Sequence, residues 1–168
     1  MPSIPSWVLA IVFWLHFLAT VTWIGSLASI SILILPAISR SLEPVNQLAV
    51  IESVQKRLEP VAWFCMGLLL VTGLFQLSAN PHYDGFLGAS NQWTLAILTK
   101  HILAVLMVVV TAVQTWEVLP SIRRILLRKE KADSQELIRL QSRETLLLRL
   151  NMILGVLILA MAALARTA

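Results

Sequence analysis

Apolar residues run almost unbroken through four stretches of the chain, at about 7–35, 61–79, 93–119 and 145–165. Each has the roughly 20 residues that a helix needs to cross a bilayer. The first and third are longer, and tilt or a protruding end absorbs the excess. None shows the period-2 alternation of a membrane barrel. Pro36 and Pro120 follow the first and third runs and Pro60 precedes the second. These prolines predict helix ends there, because proline lacks an amide hydrogen and crowds the preceding turn. Between the first two runs, Leu48, Ile51, Val54 and Leu58 recur at helical spacing. They predict a short amphipathic helix lying on the membrane surface in the first link. The connection over 80–91, with Pro81, Gly85 and Gly88, reads as a turn-rich loop. No internal repeat stands out. The predicted architecture is a single all-α domain over 1–168, a polytopic four-transmembrane-helix bundle.

Composition agrees. Of 168 residues, 58% are apolar and 13% charged, against about 25% charged in soluble domains. This excludes a disordered chain, a fibrous repeat and an ordinary soluble enzyme. One cysteine, Cys65, excludes a disulfide framework or a cysteine-only metal cluster. The first run is too long for a cleavable signal peptide, and nothing basic precedes it.

The charges set an orientation. Arg40, Lys56 and Arg57 lie in the first link, and seven Lys and Arg residues from Arg123 to Arg143 lie in the third. The middle link has none. Basic links stay on the cytoplasmic side, so both termini and the middle loop are expected outside. Trp7, Tyr83 and Trp93 would anchor the outer interface, and Trp63 and Trp116 the inner one. The basic patch at Arg123, Arg124, Arg128, Lys129 and Lys131 serves as this inside signal and offers contacts to anionic lipid heads. A pI near 9.8 does not imply nucleic acid, because no aromatic residues interleave with these charges to stack bases.

Ionisable residues within a span are costly and mark candidate function. His16 lies nine residues past Trp7, and Lys100 and His101 lie seven and eight past Trp93. At ~1.5 Å per residue this puts His16 ~13 Å and the pair ~10–12 Å into the membrane, in its outer half. Helical periodicity groups His16 with Thr20 and Trp23. It groups Lys100 with Ala104, Met107, Thr111 and Gln114, and Cys65 with Thr72 and Gln76. Such polar stripes turn inward in membrane bundles. His101 is about 100° around from Lys100, so it flanks the same site at best. Gly25 and Ser29 predict a close helix contact. Arg149 is expected to snorkel or to pair with Glu117. Cys65 and Met66, Met107, Met152 and Met161 read as core packing. His82 in the outer loop is a minor candidate for metal capture.

Imidazoles from two helices at one depth can hold a metal ion or a haem iron. A lysine there can pair with a haem propionate or donate a proton. His16 and His101 are therefore the candidate metal ligands, with Lys100 beside them. No phosphate-binding loop, Ser-His-Asp set or acidic pair within the spans supports ATP-driven transport or hydrolysis.

At these residues the chain resembles a known family. The segment LHFLATVTWIG, with His16, Trp23 and Gly25, looks like the His-x6-Trp-x-Gly signature of CopD-type membrane proteins. ILP at 34–36, VTGL at 71–74 and LTKHILAVLMVV at 98–109 continue the likeness in order, over about residues 10–120. The resemblance implies copper handling, by binding or transport, in the bacterial inner membrane. Longer members have eight spans, so this chain resembles a stand-alone four-helix version. HemJ-type protoporphyrinogen oxidases are similar too. That likeness implies haem b on His16 and a catalytic or propionate-binding role for Lys100. Three readings follow: a copper-handling protein, a haem b redox protein, and an accessory subunit of a larger membrane complex or homo-oligomer.

Overall fold

The computed structural model describes residues 5–79, 92–127 and 134–167. Its described residues form four long helices and no strand. The first helix spans Ser6–Ser41, the second Pro44–Ser78, the third Gln92–Leu127 and the fourth Ser134–Thr167. All four are long and apolar enough to cross a membrane. The first packs chiefly on the second and the third chiefly on the fourth, and the fourth also reaches the first two. Two antiparallel hairpins therefore make the bundle. Ser6 and Thr167, with Ser78 and Gln92, lie at one end, called here the terminal end, and Ser41 and Pro44, with Leu127 and Ser134, lie at the other, the link end.

The side chains are sorted for a lipid solvent. Val21, Phe64 and Val105 point outward, each more than 60% exposed. Fully or nearly buried positions include Thr72, Thr111, Gln114, Glu144 and Asn151. Lipid makes outward apolar groups free of cost, whereas buried polar groups must find partners within the bundle.

The three prolines do not end helices. Pro60 lies inside the second helix. Pro36 and Pro120 lie inside the first and third, each two residues beyond a π-helical segment, Ser29–Ile34 and Gln114–Val118. A proline ring collides with the carbonyl four residues back. Widening the preceding turn relieves that crowding. Just before each proline, the Leu35 amide donates to Ile30 O and the Leu119 amide to Gln114 O, both five residues back. With no water to satisfy freed backbone groups, a π adjustment keeps the helix whole.

This device repeats. Leu35-Pro36 and Leu119-Pro120 sit at matching points of the two helices, with both leucines buried. Lys100 stands as far before Pro120 as His16 stands before Pro36. The same π segment and Leu-Pro pair thus recur once in each half of the chain.

The stripe Leu48, Ile51, Val54 and Leu58 is not a separate surface helix. It forms the first turns of the second helix, whose start is set by Pro44. Leu48 is fully buried against Val118, Ile122, Ile125 and Leu137, and Ile51 joins the main core. Protein neighbours, not the membrane surface, cover this face. Gln141 Nε2 donates to Gln47 Oε1 across the same end. Trp63 and Trp116, the expected inner anchors, stack with centroids 5.5 Å apart and planes at 19°.

Candidate functional site

The terminal-end candidates come from the first, second and third helices. His16 is half-buried, and its Nδ1 lies 2.8 Å from Thr72 Oγ1. The Thr72 hydroxyl donates to Leu68 O at 2.6 Å, one turn back on its own helix. A hydroxyl has one hydrogen and this one is spent, so its oxygen accepts from His16. Nδ1 therefore carries the imidazole proton, and the Nε2 lone pair is left free. Gly73, next to Thr72, lets the ring lie against the second helix. A Cβ there would stand 3.5 Å from His16 Cε1.

Lys100 is also half-buried. His101 is turned back on its own helix, with Nδ1 2.7 Å from Ile97 O. His101 is thereby anchored to the backbone of its own helix. Among the described residues, no group of three or more His, Cys, Asp or Glu side chains is placed to hold a metal. A single imidazole nitrogen does not by itself make a closed metal centre.

The predicted stripes do converge. Trp23, Cys65, Thr72, Met107, Thr111 and Gln114 are all buried. Gly25 does not mediate a close contact: it is exposed, with nothing within 4 Å of an added Cβ. Its face points away from the bundle. Arg149 is exposed, and Glu117 pairs instead with Arg143 at 2.7 Å. Arg123 pairs with Glu52 at 3.0 Å. Arg124 is exposed and bonds Pro120 O and Ser121 Oγ. Arg128, Lys129, Lys131, His82 and Tyr83 lie outside the described residues.

A second polar centre, toward the link end, was not legible in the sequence. Glu144 Oε1 accepts from Gln55 Nε2 and Gln114 Nε2, each at 2.5 Å. Two turns further along the fourth helix, Asn151 Nδ2 donates to Thr111 Oγ1 at 2.9 Å. That hydroxyl in turn donates to Met107 O at 2.9 Å. In the sequence Glu144 falls beside Arg143, just before the apolar run that begins at about 145, and so groups with the basic link. The available signal was the seven-residue recurrence Leu137, Glu144, Asn151, Ile158, one face of a helix.

The family model of copper resistance protein D (CopD) matches residues 52–165. The match takes in Thr72, Lys100, His101 and the Glu144 centre. It leaves out the first helix and its His16. No curated protein and no solved structure matches the chain. The four membrane-crossing helices make this a multi-pass membrane protein. The matched stretch covers more than half of it, so the chain belongs to the copper resistance protein D family.

Proposed function

We propose that this protein handles copper in the cytoplasmic membrane, taking the ion at a site in the half of the bilayer nearer the chain termini. His16 is the ligand, through Nε2. Lys100 sets the charge of the site, with His101 beside it. The observation that carries this reading is the His16–Thr72–Leu68 chain of hydrogen bonds, which fixes the ring and its tautomer and leaves Nε2 as a lone-pair donor. Ligand histidines are commonly oriented in this way by a bond to the other ring nitrogen. Membership of the copper resistance protein D family supports copper as the ion.

Lys100 gives the site its particular character. A fixed ammonium near His16 opposes the arrival of a second cation. Copper then binds weakly or with an anionic companion, which suits a transit site better than a storage site. Neutralising or moving the ammonium strengthens binding.

The test is titration of purified protein in detergent with cuprous ion against a chelator of known affinity. One copper per chain, lost in His16→Ala with the helical circular dichroism unchanged, is the expected result. Binding that is absent, or equal in the native and His16→Ala proteins, defeats the proposal. A His16-dependent Soret band in place of copper binding would assign the same imidazole to haem.

A further inference from the structure

The geometry points to Glu144 as a proton-binding site: a neutral carboxylic acid, buried near the link end, that exchanges its proton with water in an adjoining cavity. The side chain is fully buried. Both of its hydrogen-bond donors, Gln55 and Gln114, are spent on Oε1. Oε2 is buried with no partner among the described residues. A carboxylate would carry charge on both oxygens, and leaving one dry and unpaired in the interior costs several kcal/mol (order of magnitude). The neutral acid fits the arrangement. Its carbonyl oxygen takes the two amides, and its other oxygen bears the proton.

No cation compensates Glu144 among the described residues. The charged groups nearest in helical register are Glu52 and Glu59 of the second helix, Glu117 and Arg123 of the third, and Arg143 of the fourth. Arg123 is held by Glu52 and Arg143 by Glu117. Lys56 and Arg57, next to Gln55 on the second helix, are exposed, and Glu59 has the wrong sign.

The exchange route is a cavity of about 50 Å³, lined in part by Gln55, Gln114, Thr111, Asn151, Trp23 and Glu59. Glu144 therefore lies one side-chain layer behind its wall. Asn151 Oδ1 and Trp23 Nε1, an acceptor and a donor, are buried on this wall without partners. Most of the lining is apolar, with Leu27, Ile30, Leu58 and Leu148 among it, but these polar groups give a water partners, and the space exceeds the roughly 10–15 Å³ that one water needs by the same measure. When the Gln55 or Gln114 side chain swings aside, the acid meets cavity water, its proton leaves to give carboxylate and hydronium, and it returns by the reverse step. This holds whatever the His16 site carries.

Infrared spectroscopy of the purified protein at neutral pH tests it. The native spectrum should contain the carbonyl stretch of a protonated carboxylic acid. That band should vanish in Glu144→Gln, persist in Glu59→Gln, and move to lower frequency in D2O. Gln114→Met removes one hydrogen bond from the carbonyl oxygen and should move the band to higher frequency. That variant reports on the site even if Glu144→Gln fails to fold. An ionised-carboxylate band lost in Glu144→Gln would overturn the proposal. So would an acid band indifferent to D2O, or one untouched by Gln114→Met.

Discussion

His16 Nδ1 and Thr72 Oγ1 meet at 2.8 Å across two helices, while the Thr72 hydroxyl gives its hydrogen to Leu68. The threonine thus acts as an acceptor toward the imidazole and selects its tautomer. Thr72→Val keeps the shape and removes the acceptor, freeing the ring to rotate or to move its proton to Nε2. Copper affinity should fall about 10- to 100-fold, the usual effect of losing a bond that orients a metal ligand. Thr72→Ser should retain most of the affinity. Competitive cuprous titration measures both, and unchanged affinity in Thr72→Val would remove the threonine from the site.

Lys100 should behave oppositely to a ligand. Two unit charges in a partly polar interior interact by about 2 kcal/mol even at ~8 Å. Removing the ammonium with Lys100→Met should therefore tighten copper binding at His16 about tenfold or more, with the fold retained. Transport or copper tolerance in cells should nevertheless suffer, because release slows. A lysine that merely snorkels to the surface would leave both binding and function unchanged in this variant.

Gly73 sets how closely the imidazole can lie on the second helix. An added Cβ would make ordinary contact with His16 Cε1, at 3.5 Å, so Gly73→Ala should fold and bind as the native protein does. Gly73→Leu extends further atoms toward the ring and should displace it from Thr72. The expected result is a loss of copper binding comparable to Thr72→Val, with helix content preserved. Equal binding in the two Gly73 variants would mean that the ring has room elsewhere.

The π segment before Pro36 makes an unusual deletion tolerable. A π turn amounts to one residue inserted into an α-helix. Deleting the exposed Leu33 from Ser29–Ile34 should restore α geometry and keep His16 on its present face. Deleting the similarly exposed Phe17 has no such slack. It rotates the residues on one side of the cut by about 100° relative to the other. The first deletion should yield folded protein that binds copper and the second should lose binding, as judged by size exclusion and the cuprous titration. The proline would then stand after an ordinary α turn, so the first deletion should lower thermal stability somewhat.

Much of this site can be read from local pattern. The inward stripe from Lys100 through Met107, Thr111 and Gln114 follows from helix periodicity alone. So does the grouping of Cys65 with Thr72; all of these but the half-buried Lys100 are buried. The proline boundaries read differently because a proline's consequence depends on its solvent. In water the helix would stop and hydrate its free groups, whereas in lipid it widens and continues. Gly25 shows the limit of motif reading. A small residue permits close approach, but only a partner on that face makes use of it.

The sequence by itself determined the four crossings and the faces of each helix that carry polar groups, because hydropathy and periodicity are properties of neighbouring residues. Tertiary structure alone decided which of those faces meet. It brought Thr72 to His16, and it sealed Glu144 behind Gln55 and Gln114. It also spent the Leu48 stripe on protein contacts that a reading of the link assigned to the membrane surface. Those outcomes depend on residues far apart in the chain competing for the same partners, and that competition is settled only when the helices pack.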